Sequence, residues 1–301
     1  MDATSPPAAP VGYTLSIVIP AYNEADRLPH SLENIRAFLR TQAWETTTEV
    51  IVVDDGSTDG TAALVARMVR GWPGLSVITL PHRGKGAAVR QGLLAARGAF
   101  IFFADADLSM PIELIVRFLP PLSPDCDIII GSREAPGARR FAEPRYRHMM
   151  GRAFNWLVRV LVVKGIDDTQ CGFKRMTHAA AHALCAEQQL SGLSFDVELL
   201  ALARARGYSI AEIGIDWYHE RHSRVRPVRD TIKMVRDIWL VRRRMRHLAP
   251  LVPETVGKTS GIVPTTVLSP HLVAPQKIQG DAATLSDVAV PSRKIHDTFN
   301  G

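Results

Sequence analysis

Ala99-Phe100-Ile101-Phe102-Phe103-Ala104-Asp105-Ala106-Asp107-Leu108 is the stretch from which the rest of the chain can be read. Its first half is short, continuous and apolar, the pattern of a strand buried on both faces. Its second half sets two carboxylates two residues apart, with only Ala106 between them, where that strand runs out into a loop. Such a pair suits a hard divalent cation, which takes oxygen ligands and accepts phosphate oxygens beside them. In α/β sheets ligands gather at the carboxyl ends of strands, which is where the pair falls. The plainer alternative is that Asp107 starts a helix near Pro111 and Asp105 is merely solvated beside it.

Upstream, the chain alternates strand and helix signals. Leu15–Ile19, Val50–Val53, Leu75–Leu80 and Ala99–Phe103 are predicted strands, and Asp127–Ile130 a fifth. Between them, Leu28–Leu39, Thr58–Arg70 and Gly86–Ala96 carry helical periodicity, and Pro111–Leu119 is predicted as a helix with proline at its start. This alternation predicts an α/β fold, a mainly parallel, Rossmann-like sheet with helices on both faces. After Gly131 the pattern changes. Arg133–Arg147, rich in Arg, Pro and Gly, is predicted to be a mobile loop. Amphipathic helices are predicted over His148–Val163 and Pro227–His247, with a short strand at Gly172–Met176, a helix through Cys185, another over Phe195–Arg206, and a final strand at Ser209–Ile215. Residues 1–12 are expected to form a disordered arm, 13–250 one domain, and 251–301 a disordered tail.

The 301 residues carry a net charge of +6 with 46% apolar and 22% charged side chains, ordinary for a globular protein but suited to an anionic partner. Cys126, Cys171 and Cys185 have no metal-ligand spacing and read as free thiols of a reducing compartment. No signal peptide is visible at the start of the chain, and no apolar run reaches the roughly 18–20 residues that span a bilayer.

Four loops end strands on one predicted edge: Pro20-Ala21-Tyr22-Asn23-Glu24, Asp54-Asp55-Gly56-Ser57, Gly84-Lys85-Gly86 and Asp105-Ala106-Asp107. Their chemistry fits a nucleoside diphosphate. Tyr22 can pack on a base or sugar, Asp54 can accept from a ribose or a base N–H, and Lys85 between its glycines can approach phosphate. Each piece also has a plain reading. Asp55-Gly56-Ser57 makes an ordinary turn into a helix cap. Gly84-Lys85-Gly86 lacks P-loop spacing, and no Gly-x-Gly-x-x-Gly follows the first strand.

Together these segments resemble the family 2 glycosyltransferases of GT-A fold. The resemblance runs through Ser16–Glu24, Val52–Thr61, Asp105-Ala106-Asp107, Gly131-Ser132-Arg133, Asp168-Thr169-Gln170-Cys171-Gly172-Phe173-Lys174 and Phe195-Asp196-Val197-Glu198, over roughly residues 14–245. Within the family the chain is most similar to the polyprenyl- and dolichyl-phosphate hexose synthases. The last two segments are most similar to the dolichyl-phosphate glucosyltransferase branch. The resemblance implies inverting transfer of a hexose, glucose from UDP-glucose, to a polyprenyl or dolichyl phosphate. It places the nucleotide on Pro20, Ala21, Tyr22, Glu24, Asp54, Asp55 and Lys85, and Mg²⁺ or Mn²⁺ on Asp105 and Asp107, with the Ala106 backbone near the donor. It sets Arg133 toward phosphate and Gln170 near sugar and acceptor. The family's lysine after Glu-x-x-Ser is Arg224 here, which keeps the charge but replaces a point charge by a planar fork.

A lipid monophosphate acceptor, with a second pKa of about 6, needs no strong base near neutral pH. A sugar hydroxyl acceptor would need one, for which Asp196 or Glu198 are the candidates; their plain reading is a charge pair at a helix N-terminus. Arginines interleaved with Met149, Met150, Phe154, Trp156 and Leu157 fit a helix lying in a bilayer interface, and Arg242-Arg243-Arg244 with Arg246 fit anionic headgroups. Core packing with snorkelling arginines and a solvated basic helix end are the alternatives. The expectation is therefore a peripheral enzyme on the cytoplasmic face of a membrane, anchored directly or through a membrane-protein partner. The rival readings are a GDP-mannose-dependent lipid-phosphate mannosyltransferase, a family 2 transferase with a sugar acceptor, and a nucleotide- or nucleic-acid-binding protein. Nucleic acid is the poorest fit, because Phe100, Phe102 and Phe103 sit in a predicted core strand rather than on a stacking surface.

Overall fold

The computed structural model describes residues 13–219 and 227–248; the predicted arm (1–12), the tail (251–301) and Arg224 lie outside the described residues. Seven strands form the central sheet: β1 Leu15–Ala21, β2 Thr48–Asp54, β3 Leu75–Thr79, β4 Phe100–Ala104, β5 Ile128–Ser132, β7 Phe173–Thr177 and β8 Ile210–Gly214. A pair of three-residue strands, β6 Arg139–Phe141 and β9 Asp216–Tyr218, stands apart. The sheet order is β3-β2-β1-β4-β7-β5-β8, parallel throughout except β7, which runs antiparallel to β4 and β5. The register Ala21↔Asp54↔Thr79 brings the ends of the first three strands level, so their loops open on one edge.

Alternation along the strands divides the core in two. Ile17, Ile19, Val50, Val52 and Phe102 face helices α1 (Leu28–Thr41) and α2 (Thr61–Val69) and a 3₁₀ segment at Ile112–Phe118. Val18, Ile51, Val53, Ile101 and Phe103 face the other layer: α3 (Lys85–Ala95), α5 (His178–Glu187), α6 (Phe195–Ala205), and residues of α4 (Arg145–Leu161) and α7 (Pro227–Met245). The helix α3 lies directly on β1, because a Cβ at Gly92 would stand 2.3 Å from Val18 Cγ1.

Four expectations need correction. The segment Arg133–Arg147 is not a loop throughout: β6 pairs with β9, Phe141 stacks on Tyr218 with centroids 4.6 Å apart, and α4 begins at Arg145. Accordingly β8 is not the last strand. The helix α2 starts three residues later than predicted, because Ser57, Thr58 and Asp59 are bonded to the Asn23–Ala25 backbone and the Asn23 side chain. The predicted Pro111–Leu119 helix is 3₁₀. The three cysteines are free thiols, as expected.

Candidate active site

The open strand edge bounds a cleft of about 840 Å³. Among the predicted residues, Pro20, Ala21, Tyr22, Glu24, Asp55, Lys85, Asp105, Ala106, Asp107, Arg133, Gln170 and Asp196 all line it. Asp54 does not. Its carboxylate is 1% exposed, accepts from the Ser57 N–H and leaves Oδ1 buried without a hydrogen-bond partner among the described residues. The neighbouring Asp55 holds the next loop instead, accepting from the backbone N–H groups of Arg83 and Gly84 and contacting His82 Nδ1 at 2.8 Å. His82 in turn stacks on Tyr22, with centroids 4.1 Å apart, so one face of the Tyr22 ring is already covered. The Glu24 carboxylate meets Arg27 at 2.6 Å.

Asp105 and Asp107 stand where β4 ends. The Lys85 ammonium at the start of α3 lies 2.5 Å from Asp105 Oδ1. The Gly172 backbone wraps the same carboxylate so closely that a Cβ there would fall 2.1 Å from Asp105 Oδ2. Asp107 Oδ1 accepts from the Ser109 N–H, and Ser31 Oγ fixes the Ala106 carbonyl. Burial, then the charge of Asp105, raises the Asp107 carboxyl above its ordinary range. Burial opposes the Lys85 charge, but Asp105 and Asp196 more than reverse that and raise it. No group of three or more His, Cys, Asp or Glu that could hold a metal occurs among the described residues. What the cleft does present is two neighbouring carboxylates, Asp105 and Asp107, a donor set of the oxygen chemistry that hard divalent cations take.

The far wall is built on β5, β7 and α6. Asp168, wholly buried, accepts from Arg133 Nε at 2.7 Å and Nη2 at 2.9 Å, which leaves Nη1 without a hydrogen-bond partner among the described residues. The guanidinium also lies over the Trp217 ring. Burial pushes the Asp168 carboxyl up, but Arg133 outweighs it and holds it at about 2. The Arg133 guanidinium is held charged by the same pair, against the burial that opposes it. Gln170 extends from this turn, its N–H on Asp168 Oδ1. Lys174, fully buried, donates to Cys171 O and to Asp196 Oδ1, both at 2.5 Å. Burial raises the Asp196 carboxyl, with Lys174 and Lys85 opposing. The Cys171 thiol, pushed up to about 12 chiefly by burial, stays protonated at neutral pH and supplies no nucleophile.

The structure separates the two acids at the start of α6. Asp196 lines the cleft, whereas Glu198 turns inward to the Gln189 and Leu190 N–H groups and to Arg244 at 2.5 Å. Glu198 is thus corrected as a candidate base. Sequence reasoning passed over His82, Lys174 and Trp217. Only Lys174 left a signal: a lysine in an otherwise buried strand requires an acidic partner. A lone loop histidine and a tryptophan in a three-residue strand carry none.

Comparison with known proteins points the same way. Residues 16–182 match the family described as Glycosyl transferase family 2. The chain is 38% identical over 244 residues to a dolichyl-phosphate beta-glucosyltransferase of Drosophila melanogaster, covering 75% of this chain and 74% of that one. It is 37% identical over 243 residues to the protein of that name from Homo sapiens, covering 76% and 75%. Among solved structures, mannosyl-3-phosphoglycerate synthase from Rubrobacter xylanophilus superposes with a TM-score of 0.58 at 20% identity, over 82% of this chain and 80% of that one. Glucosyl-3-phosphoglycerate synthase of M. tuberculosis gives 0.55 at 22%, over 79% and 82%. At those identities the two structures share the fold.

Proposed function

The chain belongs to glycosyl transferase family 2 and is an enzyme of GT-A fold, and from that premise we propose that it transfers glucose from UDP-glucose to a dolichyl or polyprenyl phosphate with inversion. The observation that carries this reading is the convergence of Asp105, Asp107 and Lys85 with Tyr22 and Arg133 on one cleft. The relatives named for glucosyl transfer to dolichyl phosphate support the hexose and the acceptor.

In this reading the uridine lies against the loop of Pro20, Ala21, Tyr22 and Glu24, beside Asp55. Asp54 acts from behind that loop. The diphosphate meets Lys85 and the Ala106 backbone. Asp105 and Asp107 would hold Mg²⁺ or Mn²⁺; such an ion, when bound, neutralises charge on the leaving diphosphate. Lys85 supplies the chain's own positive charge there, kept protonated by Asp105 and Asp196. The Arg133 guanidinium and the amide of Gln170 receive the acceptor phosphate and the sugar, and Arg224 adds a further positive charge. The acceptor is already largely ionised at neutral pH, with a second pKa of about 6, so its oxygen attacks the anomeric carbon without a general base. The bond to UDP breaks, and attack from the opposite face gives the β-linked lipid phosphate. Asp196, already bonded to Lys174, orients the far wall of the cleft. Because the acceptor carries a lipid, the enzyme works at the cytoplasmic face of a membrane, held there directly or by a membrane-protein partner.

Incubation with UDP-[¹⁴C]glucose and a polyprenyl phosphate tests this. Acid-labile label should enter the organic phase. It should fall by about 10²–10³-fold in Asp107→Ala, the loss typical of removing charge stabilisation from a transition state. It should also fall in Arg133→Ala. Label passing only from GDP-mannose, or appearing only in water-soluble oligosaccharide, would refute the donor or the acceptor respectively.

A further inference from the structure

Of the nine large apolar side chains exposed among the described residues, seven lie on two helices: Met149, Met150, Trp156 and Val160 on α4, and Val235, Trp239 and Leu240 on α7. Met149, Trp156 and Val160 are spaced as one helical stripe, and so are Val235 and Trp239. Trp156 and Trp239 are each 59% exposed, a cost in water with no return in the folded chain. The two helices pack together, and the exposed Met150 of α4 and Val235 of α7 also line the cleft, so the apolar face they share borders its mouth.

Charge singles out the occupant. Along α7 the apolar stripe continues as Arg242, Arg243 and Arg246, which with Trp239 and His247 surround a second hollow of about 330 Å³. From Lys233 to Leu248 the one carboxylate, Asp237, is 3% exposed and accepts from Ser194. The α4 sequence contains no carboxylate at all. A face of tryptophan and aliphatic side chains edged by unneutralised arginines is complementary to anionic headgroups over an acyl layer. Among the described residues no helix is long and apolar enough to cross a membrane, so this face would lie on the bilayer rather than in it.

We propose that the joint outer face of α4 and α7 docks on an anionic phospholipid bilayer, with Trp156 and Trp239 at the interface and Arg242, Arg243 and Arg246 on headgroup phosphates. The inference rests on the lipid-phosphate reading and deepens it: the docked face puts the mouth of the cleft against the membrane, where a polyprenyl phosphate would present its head.

The test is flotation of the full chain with vesicles of phosphatidylcholine alone or with about one-third phosphatidylserine. The protein should float with the anionic vesicles, and added salt should weaken the association. The double variant Trp156→Glu/Trp239→Glu should bind about tenfold less or weaker still. Transfer to a short, water-soluble polyprenyl phosphate should hold at the wild-type rate, which also shows that the variant is folded. Arg243→Ser/Arg246→Ser should lose the preference for anionic vesicles alone. Wild-type protein left at the bottom of the gradient, or a double variant that floats like wild type, overturns the proposal. So does a concentration-dependent dimer dissolved by Trp156→Glu, which assigns the face to a second copy. Vesicle binding that behaves as expected, without transfer to the soluble acceptor, would support the docking face and count against the proposed reaction alone.

Discussion

Asp168 accepts from Arg133 through Nε, Nη2 and the backbone N–H, and again from the Gln170 N–H, all while fully buried. Replacing it with asparagine leaves a half-buried guanidinium without its counter-charge, which costs about 3 kcal/mol. The pH dependence follows from the direction of the shift. The carboxyl is lowered from 3.8 to about 2 in the fold, so its stabilisation is complete above the ordinary value and is lost as pH falls from about 4 toward 2. The gap in urea midpoint between wild type and Asp168→Asn should therefore be constant above pH ~5 and narrow below pH ~4. A gap that widens with acid, or no gap at neutral pH, would show that the pair does not hold this wall. None of this pairing is legible in the sequence. The partners are 35 residues apart, and the bond depends on the turn before β7 returning beside the end of β5. What can be read is that an acid, a glutamine and a glycine share one short motif ahead of a strand.

One helix turn decides the fate of the acids on α6. Asp196 and Glu198 are two positions apart, so they project about 200° around the axis from each other and cannot serve the same surface. Asp196 meets Lys174 at the cleft, and Glu198 ties α6 to Arg244 on α7 and to the Gln189–Leu190 turn. Asp196→Asn should therefore lower transfer by about tenfold or more by loosening the cleft wall, whereas Glu198→Gln should act on stability, by about 2–3 kcal/mol. Steady-state kinetics and urea unfolding on both variants separate these roles; the reverse pattern would exchange them. Helical spacing alone shows that the two acids diverge, but not which of them faces the cleft. That depends on α7, whose Arg244 arrives from 46 residues downstream. The β6–β9 pair was illegible for a similar reason. Each strand has three residues, half-buried to exposed, so neither carries an apolar run, and the contacts that join them, Arg139 to Asp216 and Phe141 to Tyr218, link positions 77 residues apart.

Across the whole molecule, the cleft joins two halves of different legibility. The half formed by β1–β4 could be read in order, because the buried strands β1, β2 and β4 leave continuous apolar runs and the loops of parallel strands must fall on one edge. The half built on β5–β9, α4 and α7 depends on an antiparallel strand inserted between β4 and β5, which no local pattern announces. The ligand proposed here binds mainly to the first half but closes against the second, through Lys85 near Asp105 and Asp196 and through Gly172 against Asp105. Its binding should therefore stabilise the folded chain as a unit. At 100 times its dissociation constant a ligand that binds only the native state adds about 2.7 kcal/mol, which for a domain of this size is about 5–10 °C in Tm. UDP with Mn²⁺ should give a shift of that order in calorimetry. UDP with a chelator should give much less, and Asp107→Ala should remove the difference between the two. A shift that is equal with and without the metal, and unchanged in Asp107→Ala, would take the cation away from the Asp105–Asp107 pair and leave Lys85 and Arg133 as the charges that hold the diphosphate.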